Sequence, residues 1–480
     1  MVLVMLIPGC LIFGNCIWKK KPEKPNIVLI VVDALRSDHL GAYGYSRPTS
    51  PFFDSLSREG VLFQEAFSQS TFTLTSIASL LTGLNPDVPG VFSNQDVLDD
   101  KMLTLAEALK ANGYQTGCIQ ANPWVTPKSG FNQGFDWYQE LYPDDLLAQQ
   151  QKIVYRADQV TDQALAWLKE IKREQPFFLY LHYMETHSPY LPPAPFDQMF
   201  DPDFDHSLPD FTLMFRFLYG RDKVAMPAVL EEIYHERYSE DQLLQHIIAL
   251  YDGEVRFFDL ALEKLIKELQ NRKSGANTLV IICSDHGEGF LEHGLLLHGK
   301  SLYQEMASVP LLFYFPAQIP KGKIIPEQVR SLDIFPTILE LAGIPLPAHL
   351  DGQSLRPFWE GANRPEARTS YAHVYDSGKG AISSDGIERE YASITTPDWR
   401  FIKNLKNNED QLYDRRLDSK DTNNLASSRP DQVKIFEQML FRYFEESAKT
   451  KKALGVGKVK TGPVSPELRK KLEALGYFGP

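Results

Sequence analysis

The run from Asn26 to Asp33 constrains this chain more than any other feature. Ile27 to Val32 is unbroken apolar sequence, rich in β-branched residues, and it stops on an acid. A strand with no polar alternation is buried on both faces, which occurs when helices cover both sides of a parallel sheet. The same pattern recurs at Phe177–His182, Thr278–Cys283 and Val309–Phe315, with a shorter piece at Thr116–Ala121. Helical spacing fills the intervals, near 50–60, 75–83, 102–112, 158–172 and 240–270, and again from Asp333 to Gly343. In 158–172, Val160, Ala164, Trp167, Leu168 and Ile171 share one helix face. Strand–helix alternation predicts an α/β fold with a mostly parallel central sheet sandwiched by helices. Beyond 365, short strand-like pieces near 369–375, 391–395, 399–405 and 410–413 predict a small C-terminal antiparallel sheet. The expected division is a main α/β domain over 25–365, an α+β subdomain over 366–448, and a basic linker with a terminal helix over 449–480. Residues 194–238, rich in Pro, Asp and aromatics, read as an insertion over the main sheet.

Residues 1–24 read as a targeting segment and tether. Val2–Trp18 is almost wholly apolar and is followed by Lys19, Lys20 and Lys21. As a helix it spans about 25 Å, short of a hydrocarbon core of about 30 Å, and Pro8, Gly9, Gly14 and Asn15 weaken it. A secretory signal is the better reading. Ile7-Pro8-Gly9-Cys10 resembles a bacterial lipoprotein box with Cys10 as the lipidated residue; Cys16 heads a poorer second candidate. The chain is therefore expected to be exported, in the bacterial periplasm or cell envelope, touching a membrane only through this anchor. Four cysteines in 480 residues exclude a disulfide-dense scaffold. Cys118 and Cys283 sit inside apolar strand runs and read as core. With 50 basic and 62 acidic residues, the net charge of −12 argues against a nucleic-acid partner.

Ligands of open α/β sheets bind beyond the carboxyl ends of the strands. Asp33 occupies that position, and so do Asp285 and His286. Either acid alone reads equally well as a helix cap. Together, two carboxylates and an imidazole suit one divalent cation, Ca²⁺, Mn²⁺ or Zn²⁺. His293 and His298 follow closely, so three histidines fall between 286 and 298.

An ordered series of segments resembles the sulfatase branch of the alkaline-phosphatase superfamily. The segments are Asn26–Gly41, Ser50–Asp54 with Glu59–Phe63, Ser79–Gly83, Thr104–Leu109 with Gly113–Thr116, Leu179–Tyr190, Tyr251–Arg256, Ser284–Glu288, His298–Lys300, Asp333–Thr337, Asp351–Leu355 and Leu412–Asp414 with Asn423–Leu425. The resemblance covers roughly 25–428 and implies a hydrolase of sulfate or phosphate esters. It also carries two departures. Where sulfatases have a Cys (or Ser)-x-Pro-x-Arg motif that yields formylglycine, this chain has Thr73-Leu-Thr75-Ser76-Ile77, so formylglycine is not available. Where the family pattern has two adjacent aspartates, Asp33 is followed by Ala34. The remaining set, Asp33, Thr73, Asp285 and His286, resembles threonine-nucleophile relatives that bind one metal. It implies Thr73 as a metal-activated nucleophile, because a free hydroxyl is a poor nucleophile at neutral pH.

The resemblance also implies that His187, His298 and Lys300 grip the ester oxygens or serve the leaving group. Asn122 and Arg36 are weaker candidates for contact with substrate; for Arg36 a structural ion pair is as good a reading. Asp252 and Glu254 match family positions, with a structural role favoured. The expected partner is a sulfated or phosphorylated small molecule, glycan or lipid headgroup. Two alternatives stand beside the hydrolase: a phospho-group transferase acting on envelope lipids or glycans, and a sulfatase-like binding protein without activity.

Overall fold

A computed structural model describes residues 23–141, 156–172, 174–205, 237–361, 365–376, 388–456 and 460–461. Most of the targeting segment with Cys10 and Cys16, most of the 194–238 insertion and the terminal helix lie outside these residues.

The main unit contains, in chain order, β1 (Asn26–Val32), α1 (Pro51–Ser57), β2 (Val61–Phe67), α2 (Thr73–Thr82), α3 (Leu105–Ala111), β3 (Gln115–Gln120), β4 (Trp137–Glu140), α4 (Ala157–Glu170), β5 (Phe177–Tyr183), α5 (Glu240–Asn271), β6 (Thr278–Ser284), β7 (Ser308–Tyr314), β8 (Lys323–Ile325) and α6 (Ile334–Leu341). The sheet order is β8-β2-β7-β6-β1-β5-β3-β4, with Val329–Arg330 added beside β2. β1 lies between β5 and β6 and is parallel to both. β7 runs against both its neighbours, β6 and β2. This is the mostly parallel, helix-covered sheet expected from the sequence.

The two-residue period of β1 explains why it has no polar side. Ile27, Leu29 and Val31 pack into one core with Ile77, Leu80, Leu105, Leu109 and Ile338 of α2, α3 and α6. Val28, Ile30 and Val32 pack into the opposite core with Phe53 of α1, Val160 of α4 and Val255, Leu262 and Ile266 of α5. Every residue of β1 is buried. Cys118 and Cys283 are buried free thiols, as expected.

β9 (Ser370–Asp376), β10 (Arg389–Thr395), β11 (Trp399–Asn404) and β12 (Asp410–Asp414) form the second sheet, antiparallel in chain order. One face packs on α7 (Pro430–Ala453) through Ala392, Ile394, Phe401, Leu412, Val433, Phe436 and Leu440. The other face contributes Ala372, Val374, Ile402 and Tyr413 to the main core, so the two sheets share apolar packing.

Three features depart from the sequence reading. β2 carries Gln64 and Glu65 inside its apolar run, which breaks the buried-strand pattern, and β4 is an edge strand with little burial and no such pattern. The expected linker from 449 begins as helix, since α7 continues to Ala453. Among the described residues no helix is long and apolar enough to cross a membrane.

Candidate active site and metal centre

Parallel pairing brings three strand ends to one point. Val32 is in register with both Tyr183 and Ser284, so the residues following β1, β5 and β6 leave the sheet side by side. Ala34 then turns the chain sharply, with φ at 57°, and its N–H donates to Asp285 Oδ1 at 3.1 Å. The N-terminus of α2 is tied to the same place, because Ser76 Oγ donates to the Asp285 carbonyl at 2.6 Å. Gly83 caps the far end of α2 at φ 67°, a left-handed conformation that suits glycine. Thr73 is the first residue of α2, is only 2% exposed, and its Oγ1 lies 3.2 Å from His286 Nε2.

His286 Nδ1 donates to the Gly287 carbonyl at 2.9 Å, which leaves the lone pair on Nε2. Nε2 lies 3.3 Å from Asp285 Oδ2 and 3.7 Å from Asp33 Oδ1. Both of those carboxylate oxygens are buried without a hydrogen-bond partner. Buried, unpaired carboxylate oxygens are costly unless a positive charge sits among them. Asp33, Asp285 and His286 converge closely enough to hold one cation, with the Thr73 hydroxyl as a fourth donor. The donor set therefore fits the divalent metal expected at this position. Ligands about 2.0–2.2 Å from a tetrahedral cation stand about 3.3–3.6 Å apart, close to these spacings.

The second oxygen of each acid is engaged elsewhere. Asp285 Oδ1 accepts from the N–H groups of Ala34 and His286. Asp33 Oδ2 accepts from Asn122 Nδ2 at 2.6 Å and lies 3.4 Å from His182 Nε2. Burial works against the Asp33 charge, but the imidazoles of His187, His182 and His286 outweigh it and hold its carboxyl low. Burial and the neighbouring Asp33 push Asp285 up. His286 is raised because Asp285 and Asp33 outweigh its burial.

A second layer carries the histidines. His298 packs against His286 with ring centroids 4.2 Å apart and against His187 at 4.9 Å. His298 Nδ1 is 2.9 Å from Glu288 Oε1, and Tyr190 donates its hydroxyl to Glu288 Oε2 at 2.8 Å. His187 Nδ1 donates to the Ser188 carbonyl at 2.6 Å. Burial lowers the His187 imidazole and raises the Glu288 carboxyl to about 7. Lys300 is half-buried on the same loop, two residues past His298.

Two sequence candidates take different roles. Asn122 does not face open space for a substrate. Its amide is held between the Asp33 carboxylate and the Trp124 N–H, which donates to Asn122 Oδ1 at 2.8 Å. Arg36 is engaged by Asp38, Glu292 and the Glu288 carbonyl and lies over Phe290, the contacts of a structural ion pair. Asp252 binds His39, Tyr45 and Arg47, and Glu254 accepts from the N–H groups of Thr186 and Leu191; both are structural. The sequence reading missed His182 and gave Glu288 no role. A lone histidine ending an apolar strand and an acid two residues past His286 were the only signals.

The sulfatase family profile matches residues 25–344, and a profile for the C-terminal region of N-sulphoglucosamine sulphohydrolase matches 291–449. Arylsulfatase K of Rattus norvegicus is 25% identical, over 87% of this chain and 77% of its own length. An N-acetylglucosamine-6-O-sulfatase of Bacteroides thetaiotaomicron is 23% identical, over 90% of this chain and 87% of its own. A protein solved with its substrate D-glucosamine-2-N,6-O-disulfate superposes with a TM-score of 0.70 at 21% identity, over 90% of this chain and 99% of its own. The phosphonate monoester hydrolase of Agrobacterium radiobacter gives 0.69 at 22%, over 88% and 96%. The chain belongs to the sulfatase family, hydrolases acting on sulfate or phosphate ester bonds.

Proposed function

We infer that this protein hydrolyses sulfate or phosphate esters by covalent catalysis from Thr73, at a centre built from Asp33, Asp285, His286 and Thr73. The observation that carries this reading is the convergence of Thr73 Oγ1 and two unpartnered carboxylate oxygens on His286 Nε2. A divalent cation held by these four residues would lower the pKa of the Thr73 hydroxyl and neutralise charge on the ester oxygens. Thr73 Oγ1 attacks sulfur or phosphorus and displaces the alcohol, and water then cleaves the Thr73 ester to release the inorganic anion. His298, oriented through Nδ1 by Glu288, and His187, oriented through Nδ1 by Ser188, exchange protons with the leaving alcohol and the incoming water through Nε2. The half-buried Lys300 supplies positive charge to the ester oxygens. Relatives whose names specify sulfated sugars, such as the N-acetylglucosamine-6-O-sulfatase, support a sulfated glycan as the substrate class. The apolar N-terminal segment, read as a secretory signal, supports the bacterial cell envelope as its site of action.

The test is a panel of sulfate esters, phosphodiesters and phosphomonoesters, run with added Zn²⁺, Mn²⁺ or Ca²⁺ and followed by intact-mass analysis of quenched enzyme. A transient sulfate or phospho adduct on wild type, absent from Thr73→Ala, is expected. Full turnover by Thr73→Ala would end the scheme. Turnover that requires an added alcohol acceptor would favour the transferase instead.

A further inference from the structure

The cation centre has an uneven geometry that the proposed activity does not by itself require. Each of its two carboxylates offers one oxygen inward and has the other occupied. For Asp285 the occupying groups are backbone N–H donors, which any sequence supplies. For Asp33 it is a side chain, Asn122 just past β3, while His182 Nε2 of β5 faces the same oxygen from 3.4 Å without a hydrogen bond. Gln120 of β3 is in register with His182, so the parallel pairing of these strands brings both side chains to the same side of Asp33. His182 is fully buried, and its Nδ1 lies 3.0 Å from the Tyr180 hydroxyl. With Tyr180 donating to Nδ1, the proton of His182 sits on Nε2, which lies 3.4 Å from Asp33 Oδ2 but outside hydrogen-bond geometry. Asn122 is equally buried and is fixed by the Trp124 N–H on its other end.

We propose that Asn122, with the His182 ring backing the same oxygen, holds Asp33 Oδ2 away from the cation, so that Asp33 is a one-oxygen ligand and the centre selects a manganese- or zinc-like cation over calcium. This rests on the cation centre of the proposed function. Calcium takes six to eight oxygen ligands and commonly uses both oxygens of a carboxylate. Here the described residues provide Asp33 Oδ1, Asp285 Oδ2, Thr73 Oγ1 and one imidazole nitrogen. Ala34, next in sequence to Asp33, adds no side-chain oxygen, and its N–H closes off Asp285 Oδ1. Four donors that include nitrogen match zinc and manganese chemistry. Releasing Asp33 Oδ2 would add a fifth, hard oxygen donor and shift the preference toward calcium.

The test measures metal affinity directly, by calorimetry or chelator competition on metal-stripped full-length protein, with Mn²⁺ and Ca²⁺ as probes. Wild type is compared with Asn122→Ala, His182→Leu and His182→Gln, each checked for a cooperative thermal transition. The ratio of Ca²⁺ to Mn²⁺ affinity is expected to rise about tenfold or more in Asn122→Ala and His182→Leu, and to stay near wild type in His182→Gln, which keeps a donor. An unchanged ratio in folded Asn122→Ala and His182→Leu, or wild type binding calcium as tightly as manganese, overturns the proposal and leaves the cation centre standing. Wild type binding neither cation overturns the centre and the proposal with it.

Discussion

Thr73 Oγ1 lies 3.2 Å from His286 Nε2, across 213 residues of sequence. The contact joins the first residue of α2 to the loop just past β6, and it places a hydroxyl beside the inward carboxylate oxygens of Asp33 and Asp285. Thr73→Ala is expected to lower kcat at least about 10³-fold, whereas Thr73→Ser, which keeps the oxygen, retains measurable turnover. Steady-state kinetics on the best ester of the panel checks both. Equal losses in Ala and Ser would remove the hydroxyl from the chemistry.

Glu288 joins Tyr190 to His298 from a fully buried position. Glu288→Gln is expected to lower kcat about 10–100-fold with little change in KM, because the Nδ1 partner of His298 is weakened while the pocket keeps its shape. A double-mutant cycle of Glu288→Gln with His298→Ala should be strongly non-additive. Additive effects would show that Glu288 acts independently of His298.

The C-terminal sheet grips the loop that carries His298 and Lys300. Arg400 is fully buried, lies 3.0 Å from Asp421 Oδ2, and donates to the Leu302 carbonyl at 3.0 Å. Asp421 Oδ2 accepts from the Gln304 N–H at 2.9 Å. Arg400→Met alone strands a buried carboxylate and is expected to cost about 3–5 kcal/mol, with much of that recovered in Arg400→Met/Asp421→Asn. Denaturant titration measures the cost. Hydrogen exchange over 298–305 should speed up in the single variant, and unchanged exchange there would disconnect the grip from the loop.

His373 of β9 bridges Asp87 at 3.0 Å and Glu390 at 3.2 Å, and Tyr443 of α7 donates to the same Asp87. Burial opposes its charge, but the two carboxylates outweigh it and raise its pKa from 6.5 to about 9. A raised folded-state pKa means stability that is complete below 6.5 and lost as pH rises to 9. The loss should be roughly 3 kcal/mol. Urea midpoints taken at pH 6, 7.5 and 9.5 should fall for wild type. They should stay level over that window, in this respect, for His373→Gln, and a parallel fall in both proteins would assign the dependence to other groups.

Removing divalent cations should destabilise the fold, because the inward oxygens of Asp33 and Asp285 are then buried without a partner. Adding a cation at 100 times its Kd should return about 2.7 kcal/mol. Thermal scans with chelator, then with Mn²⁺ or Zn²⁺, read this directly. A transition temperature indifferent to both would argue against the centre.

The fold was legible in the sequence because burial on both faces leaves a plain trace. A run such as Ile27–Val32 has no polar residue to spare for solvent, and few folds bury strands in that way. The acids at strand ends were legible too, since chain position alone puts Asp33 and Asp285 at the carboxyl edge. Local sequence could not say which oxygen of Asp33 faces inward, or that Asn122 guards an acid rather than a substrate. Nor could it say that His182 and Glu288 belong with the site. Those relations depend on strand order and register, which bring Asn122 onto Asp33 across 89 residues of sequence and set His182 beside it. The sequence determined the scaffold and the types of group at its rim. Tertiary packing decided which atoms of those groups remain unpaired, and therefore where a cation and an ester can bind.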